Sequence, residues 1–228
     1  HGETLSSLIE RGPLDPAGAI HILMSVLRGV AAAHRQGVIH RDLKPGNIFL
    51  SRGPDGELRE VKVLDFGISK LLAAQGQDVP SLTRSGTLLG TPCYMSPEQI
   101  AEAKLVDTPT DVYALGVVLF ELLTGRIPFR STRLTALIIE ITAKTPIRVR
   151  ELRPDIPEAL EAVVTKAMAR DAAERYPDVE SMGRALEHFA PGVTFQTDPT
   201  GGHVLERRDQ AMQAPRDAAH AAAFARTE

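Results

Sequence analysis

The sequence has little cysteine, no long apolar run and little net charge, and each absence excludes something. Cys93 is the single cysteine among 228 residues, so no disulfide can form within the chain, which suits a reducing compartment. No run approaches the roughly 18 apolar residues of a membrane span. The best candidate, 112–123, contains Gly116 and Glu121 and is interpreted as a buried helix. A formal net charge of -3 gives no reason to expect a nucleic-acid partner.

The start of the chain also lacks two features of a complete protein. It begins at His1 without a methionine, and no basic-then-apolar leader follows. We therefore interpret the sequence as a piece of a longer protein. We expect no membrane segment in this piece and a cytoplasmic location, with any membrane anchor outside it.

Helical periodicity dominates what is present. Asp15-Pro16 predicts an N-cap and a first-turn proline for a helix to about Arg35, with apolar residues at three- and four-residue steps. Further helical patterns cover 97–100, 111–124, 133–144, 158–169 and 179–189. Short apolar runs at 48–50 and 61–64, around a turn at 54–56, predict a small β element. The expected fold class is mostly α with a small β element (α+β).

Two stretches lack such periodicity. Residues 72–97 are rich in Gly, Ser, Thr and Gln, and a loop of that length inside a compact domain is usually functional or disordered. From about residue 190, Pro, Gly, Asp and Ala dominate, which predicts a flexible tail over 190–228. The predicted folded unit is therefore 1–189.

The densest polar cluster follows the first long helix. The run His40-Arg41-Asp42-Leu43-Lys44-Pro45-Gly46-Asn47 holds an Asp, a Lys and an Asn between two short apolar segments. Phosphoryl transfer requires such a set: a carboxylate for the attacking hydroxyl, a cation for the migrating phosphoryl, and a neutral oxygen ligand for a metal. Asp65, in Asp65-Phe66-Gly67 after a predicted strand, adds a carboxylate of the kind that Mg²⁺ prefers.

These motifs resemble those of the protein-kinase family. The match to H-R-D-L-x-x-x-N is complete, D-F-G follows 18 positions after Asn47, and Ser96-Pro97-Glu98 stands where the family has A-P-E. Either tripeptide alone is a weak indication, but the ordered set at this spacing is specific. The similarity continues through 90–99 and 111–116 to Glu174-Arg175-Tyr176. It covers 1–189, with a catalytic loop at 40–47, an activation segment at 65–98 and a helical block at 99–189.

The resemblance implies a role for each matching polar residue. Asp42 would accept or orient the proton of the substrate hydroxyl. Lys44 would neutralise charge on the transferring phosphoryl of ATP. Asn47 and Asp65 would hold Mg²⁺, with Mn²⁺ as a substitute. Phe49 would lie against the adenine ring, or equally be a plain core aromatic.

Other matching residues would be structural or would bind the peptide. Arg-Asp-Leu-Lys-Pro together with Thr91, in the substrate-binding loop, is the serine/threonine version of the family pattern. The structural residues would be His40, Phe66, Gly67, Glu98, Asp111 and Arg175. Asp111 would hold the backbone of the catalytic loop, and Arg175 would pair with Glu98. Simpler interpretations stay open for Asp42, as a loop-capping carboxylate, and for Asp65, as a turn former.

The resemblance also implies regulation by phosphorylation, because family members with an arginine before the catalytic aspartate, here Arg41, commonly switch by phosphorylating the activation loop. A phosphate adds nearly two negative charges and several acceptors, which Arg41 could pair and so order the loop. Thr83 and Ser85, followed by Thr87, are the candidate sites. They lie at the distance before Gly90-Thr91 at which related bacterial kinases carry such sites.

The sequence departs from the family in lacking its small lobe. No G-x-G-x-x-G loop precedes the catalytic loop, and no V-A-I-K lysine is present. We expect the chain alone to bind ATP weakly and to turn over slowly. The leading hypothesis is the large lobe of a bacterial-type serine/threonine kinase, whose partners are ATP, a protein substrate and the missing N-lobe. A truncated kinase-like binding or regulatory module and an unfolded gene fragment are the alternatives.

Overall fold

A computed structural model of the protein describes residues 1–66, 92–101, 106–190 and 195. Several predicted residues lie outside these ranges: Gly67, Thr83, Ser85, Thr87 and Thr91. All of the predicted tail except Ala190 and Phe195 lies outside them as well.

A small antiparallel sheet joins the start of the chain to the segment after residue 47. Its strands are β1 (Gly2–Thr4), β2 (Ile48–Arg52) and β3 (Leu58–Val63), in the order β1-β2-β3. Gly2 pairs with Ser51, and Ile48 pairs with Val63. The predicted turn at 54–56 is confirmed: it joins β2 to β3, and the amide of Gly53 donates to the carbonyl of Glu57 at 2.9 Å. The sequence did not predict β1.

Two helices lie between β1 and β2. The first, α1 (Leu5–Ile9), begins directly after β1, where the Thr4 side chain accepts a hydrogen bond from the amide of Ser7. The second, α2 (Pro16–Arg35), begins at the predicted N-cap, because an Asp15 carboxylate oxygen accepts from the amide of Gly18 at 3.0 Å. The predicted helix is thus confirmed at both ends.

Helix α2 has the length and the composition of a possible membrane span. The sequence pointed instead to 112–123 as the best such candidate. Ten residues of α2 are buried inside the fold, among them Ile20, Leu23 and Leu27. The helix contacts α4 and α8, described below, as well as β3. Core helices of globular domains share this apolar composition, so the composition alone is weak evidence for a span.

The rest of the described chain is helical. The helices are α3 (Pro97–Ala101), α4 (Thr108–Thr124), α5 (Leu134–Ala143), α6 (Val149–Leu152), α7 (Glu158–Ala167) and α8 (Val179–Leu186). Single 3₁₀ turns cover Pro45–Asn47, Pro92–Tyr94, Ala172–Glu174 and Glu187–Phe189. The short helix α6 was not predicted, and α4 begins three residues earlier than expected.

Helix α4 forms the centre of the core. Fourteen of its 17 residues are buried, and it packs against α2, α7 and α8. The expected class, mostly α with a small sheet, is confirmed. This packing positions the polar loop. The loop, residues 36–47, follows α2 directly, and the N-terminal end of α4 lies against it.

Candidate active site

Asp111 fixes the backbone of the loop that carries the polar cluster. Its carboxylate is fully buried in the first turn of α4. One oxygen, Oδ2, accepts from the amide of His40 at 2.9 Å, and Oδ1 accepts from the amide of Arg41 at 2.9 Å. His34, near the end of α2, donates from Nε2 to Oδ2 at 2.7 Å. One buried side chain thereby ties α2, α4 and the loop together.

Arg41 carries the strained point of this loop. Its φ is 68°, in the left-handed region that non-glycine residues rarely adopt and that costs of order 1–3 kcal/mol. The carbonyl of Arg41 accepts from Gln99 Nε2 at 2.8 Å, so α3 holds the strained residue from the other side. The Nε atom of Arg41 is buried and has no hydrogen-bond partner within the described ranges.

Asp42, Lys44 and Asn47 converge on one carboxylate oxygen. Lys44 Nζ lies 2.7 Å from Asp42 Oδ2, and Asn47 Nδ2 lies 3.1 Å from the same atom. Asn47 Nδ2 also donates to the Asp42 carbonyl at 2.9 Å. The Asp42 side chain is 35% exposed, and no described residue donates a hydrogen bond to its second oxygen, Oδ1. A hydroxyl from outside can therefore approach Oδ1 while Oδ2 stays paired.

The segment after β3 runs beside this loop. The amide of Leu64 donates to the carbonyl of Asn47 at 2.8 Å. His40, which is 1% exposed, donates from Nε2 to the Leu64 carbonyl at 2.9 Å, and its Nδ1 accepts from the amide of Asp42 at 3.3 Å. Its ring packs edge-to-face on Phe66 with centroids 4.7 Å apart. Both ring nitrogens are engaged within the fold, so the contacts of His40 are structural ones.

Asp65 and Asn47 carry oxygen atoms of the kind that could bind a hard metal ion. The two bonds that Asn47 Nδ2 donates direct its amide nitrogen toward Asp42, which leaves the amide oxygen as an available ligand. Asp65 is exposed, with φ of 61°. An amide oxygen and a carboxylate fit Mg²⁺, which keeps several ligand positions for water and phosphate.

Phe49 lies on the open face of the sheet. Its neighbours Ile48 and Leu50 are fully buried, and side chains alternate between faces along a strand, so Phe49 points the other way and is half-buried. Its ring covers the backbone of Gly2, where an added Cβ would lie 2.4 Å from Phe49 Cζ. Only glycine allows this approach of β1. The side chain therefore forms a flat apolar surface next to the loop.

Glu98 and Arg175 form a nearly buried bidentate ion pair. Arg175 donates from NH1 to Oε1 and from NH2 to Oε2, both at 2.7 Å. It also donates to the carbonyls of Ala169, Pro109 and Arg170. Burial opposes ionisation of Glu98, but the hydrogen bond and charge of Arg175 outweigh it and lower the Glu98 pKa to about 2. The pair ties α3 to the segment between α7 and α8.

A second polar contact holds the turn before α3. The Tyr94 hydroxyl donates to Glu121 Oε2 at 2.6 Å, and burial raises the pKa of Glu121 against the opposing effect of this bond. Burial, together with the nearby charge of Glu121, also raises the pKa of the Cys93 thiol. A raised pKa disfavours the reactive thiolate, so the environment of Cys93 is that of an inert thiol.

Sequence reasoning missed two residues that position the loop. His34 and Gln99 had no expected role. His34 is 77 positions from its partner Asp111, and Gln99 is 58 positions from Arg41. Because both contacts join distant segments, no local pattern could have indicated them.

Comparison with known proteins shows the family of the chain. A family model described as the protein kinase domain matches residues 1–188. The chain belongs to the protein kinase family. It is similar to the serine/threonine-protein kinases PknL of Mycobacterium tuberculosis, with 41% identity over 83% of this chain, and Pkn1 of Myxococcus xanthus, with 39% identity over 89%.

A solved structure shows the same fold. The kinase domain of PknI from Mycobacterium tuberculosis, crystallised as a point mutant, matches with a TM-score of 0.58 and 23% identity, over 82% of this chain and 61% of that one. Among the curated relatives, the matched region is 45% of PknL and 29% of Pkn1. The chain therefore spans less than half the length of these relatives.

Proposed function

We propose that this chain is the large lobe of a serine/threonine protein kinase, which transfers the γ-phosphoryl group of ATP to hydroxyls of protein substrates once a small lobe completes it. The observation that carries the proposal is the convergence of Lys44 and Asn47 on Asp42 Oδ2. It leaves Oδ1 toward solvent, in a loop that Asp111 fixes from below. This arrangement suits a positioned general base.

We assign Asp42 as the group that accepts the proton of the substrate hydroxyl. The hydroxyl of a serine or threonine binds Oδ1, and the proton passes to the carboxylate as the oxygen forms its bond to the γ-phosphorus. The bond from that phosphorus to the β–γ bridging oxygen breaks, and ADP leaves with the electron pair. The role of Lys44 and Asn47 at Oδ2 is to keep the carboxylate oriented.

Lys44, together with a metal ion held by Asn47 and Asp65, would stabilise the negative charge of the phosphate groups. The ammonium group of Lys44 stands next to the base, where negative charge spreads over the transferring phosphoryl. Asn47 and Asp65 would hold Mg²⁺, or Mn²⁺ in its place, which when bound neutralises phosphate charge. Phe49 would lie against the adenine ring.

Regulation by phosphorylation belongs to the same proposal. The buried Nε of Arg41, for which the described residues provide no partner, suits a phosphate on the loop at Thr83, Ser85 or Thr87. These residues and the peptide-binding Thr91 lie outside the described ranges. Phosphopeptide mapping of autophosphorylated enzyme should find at least one of these three residues modified. If none is modified, the proposed regulation by phosphorylation is wrong.

The domain limits and the location complete the proposal. We assign 1–189 to the kinase lobe and 190–228 to a tail. The lobe is placed in the cytoplasm, where ATP is available, and an anchor elsewhere in a longer protein is compatible with this. Because the sequence contains no glycine-rich loop and no V-A-I-K lysine, a kinase-like binding module without its own catalysis is the second candidate.

The test is a phosphoryl-transfer assay on the chain extended with a small lobe from upstream coding sequence, using radiolabelled ATP, Mg²⁺ and a basic protein. Asp42→Asn should lower the rate on the order of 10²–10⁴-fold. Asp55→Asn, in the exposed β2–β3 turn, is the matched control and should stay active. Label on phosphoserine and phosphothreonine is expected. Label on tyrosine, or full activity of Asp42→Asn, would contradict the assignment.

A further inference from the structure

Three arginines lie within the short segment that joins α4 to α5. Arg126, Arg130 and Arg133 are all exposed, and no carboxylate of the described residues forms an ion pair with any of them. Residues 126–133 contain no acidic residue. The segment is therefore strongly basic in a chain whose formal net charge is -3. These three side chains are called the arginine surface below.

The backbone of this segment is held in place by the rest of the fold. The Thr124 hydroxyl accepts a hydrogen bond from the amide of Arg126 at 3.2 Å. Phe129 is 6% exposed and belongs to the core, and Glu140 Oε2 accepts from the amide of Ser131 at 3.2 Å. Because the backbone is already ordered, a ligand that binds the arginines pays less of the entropy cost of ordering the segment.

The acidic residues that flank the segment along the chain are engaged with other groups. Glu140 also accepts from Lys144 Nζ at 3.1 Å, and Glu121 accepts from the Tyr94 hydroxyl at 2.6 Å. Neither forms an ion pair with the arginine surface. The positive charge of the surface is thus available to a binding partner, and an acidic group is its electrostatic complement.

The arginine surface lies near the turn that follows the residue assigned to peptide binding. Both α4 and α5 contact the 3₁₀ turn Pro92–Tyr94, and the bond from Tyr94 to Glu121 fixes this turn against the C-terminal half of α4. The turn directly follows Thr91 in the sequence. Because residues 126–133 follow α4 and lead into α5, they belong to the same region of the surface.

Helix α3 connects this region to the catalytic loop. It follows the turn, contacts α5, and its Gln99 donates to the carbonyl of Arg41 at 2.8 Å. Asp42 is the next residue of that loop. A protein segment whose hydroxyl reaches Asp42 therefore has neighbouring residues within the region of α3, the turn and the arginine surface.

The surroundings favour a protein partner over a nucleic acid. Ile139 of α5 is 54% exposed, and an apolar side chain of a polypeptide is its complement, whereas a phosphate backbone is not. The net charge of the chain is -3, which opposes association with a polyanion. An acidic polypeptide segment fits both the arginines and the exposed isoleucine.

We propose that the arginine surface binds acidic segments of protein substrates, so that the completed kinase prefers serines and threonines flanked by aspartate and glutamate. The effect on transfer rests on the proposed function, whereas the binding of acidic segments does not. A guanidinium pairs with a carboxylate through two parallel hydrogen bonds. One exposed pair contributes little, but three pairs together set a measurable preference.

Fluorescence anisotropy of the 228-residue chain tests binding without catalysis. The probe is a labelled serine peptide flanked by glutamates, and the reference is the same peptide with glutamines in their place. At about 50 mM NaCl the glutamate peptide should bind about tenfold more tightly, with each arginine contributing about twofold. At about 500 mM NaCl the difference should fall to about twofold, because salt screens exposed charges.

Transfer kinetics of the chain joined to a small lobe test the effect on the reaction. The KM for the glutamate peptide should be about tenfold below the KM for the glutamine peptide, with equal kcat. This split is expected because the arginines bind the flanks of the substrate and do not touch the reacting atoms.

A triple variant locates the preference. It replaces the whole arginine surface, with Arg126→Gln, Arg130→Gln and Arg133→Gln, and should treat the glutamate peptide as the parent treats the glutamine peptide. The matched control changes the net charge equally by removing three exposed arginines from other parts of the surface, with Arg59→Gln, Arg150→Gln and Arg184→Gln. The control should keep the preference of about tenfold.

Equal binding of the two peptides overturns the proposal, and so does a preference that survives in the triple variant. An oligonucleotide of the same charge that binds the chain more tightly than the glutamate peptide also overturns it. If the joined protein transfers to neither peptide while arginine-dependent binding is present, the kinase assignment fails and the binding surface stands. Circular dichroism checks folding. If the triple variant does not fold, the three single variants replace it, each with an expected loss of about twofold.

Discussion

At the scale of single residues, most polar contacts around the catalytic loop hold backbone in place, and few side chains are left for chemistry. Asp111 accepts hydrogen bonds from two loop amides and from His34, while Gln99 donates one to the carbonyl of the strained Arg41. Asp42 keeps one oxygen toward solvent. A rigid scaffold of this kind is what makes the position of a single exposed oxygen precise.

Replacing Asp111 with alanine should destabilise the fold strongly. The change leaves two buried amides, at His40 and Arg41, without an acceptor, and each such loss costs about 1–3 kcal/mol. We expect urea denaturation to show a loss of about 3 kcal/mol in the free energy of unfolding. Asp107→Ala removes the exposed N-cap of the same helix and should cost only about 1 kcal/mol. Equal losses in the two variants would show that the buried bonds contribute nothing extra.

The Glu98–Arg175 pair should make stability depend on pH in a defined window. Because the pKa of Glu98 is lowered from 4.5 to about 2, its contribution is fully present above pH 4.5 and is lost as pH falls from 4.5 toward 2. Across that window the stability difference between the parent and Glu98→Gln should shrink by about 3 kcal/mol. Urea titrations at several pH values measure it.

A surface pair provides the control for this effect. Glu180→Gln removes the partner of Arg35, whose side chain is 41% exposed. Exposed pairs contribute at most about 1 kcal/mol, so the stability of this variant should follow that of the parent over the same pH values. A Glu98→Gln curve that also runs parallel to the parent would contradict the lowered pKa.

The sequence could predict part of the site at this scale. Asp42, Lys44 and Asn47 lie within six positions around a proline, so their proximity follows from local chain geometry. The pairing of Asp111 with the loop and of Glu98 with Arg175 came from family resemblance alone. His34 and Gln99 were missed because their partners are set by how α2, α3 and α4 pack.

At the scale of elements, helices could be predicted where capping residues mark their ends. Asp15-Pro16 and Gly37, with φ of 71°, delimit α2, and the helix was predicted with the correct limits. The start of α4 was placed too late, although Asp107 is its N-cap and Pro109 lies in its first turn. β1 and α6 span only three and four residues. Elements this short have no period to detect and form through their contacts with β2 and α7.

The C-terminal end of α4 gives an element-scale prediction. Gly125 ends the helix with φ of 68°, and an added Cβ would also lie 3.3 Å from Pro13 Cδ. Gly125→Ala should therefore lower the free energy of unfolding by about 1–2 kcal/mol. Gly125→Asn should cost less, because asparagine adopts the left-handed conformation more readily. Urea denaturation of both variants tests this, and an asparagine variant no more stable than the alanine one would contradict it.

At the scale of the whole molecule, the described chain contains the large-lobe part of the proposed nucleotide site. The Asp65 segment lies beside the loop, because the amide of Leu64 donates to the carbonyl of Asn47, and the Leu64 side chain is 40% exposed. The phosphate-covering parts of the family are absent from these 228 residues.

The catalytic assignment depends above all on the rate of phosphoryl transfer from radiolabelled ATP to a basic protein, measured before and after a small lobe is joined to the chain. We expect no detectable transfer by the 228-residue chain. The joined protein should label serine and threonine, and its Asp42→Asn form should lose that labelling. A joined protein that is folded yet silent would contradict the catalytic assignment and favour the binding module.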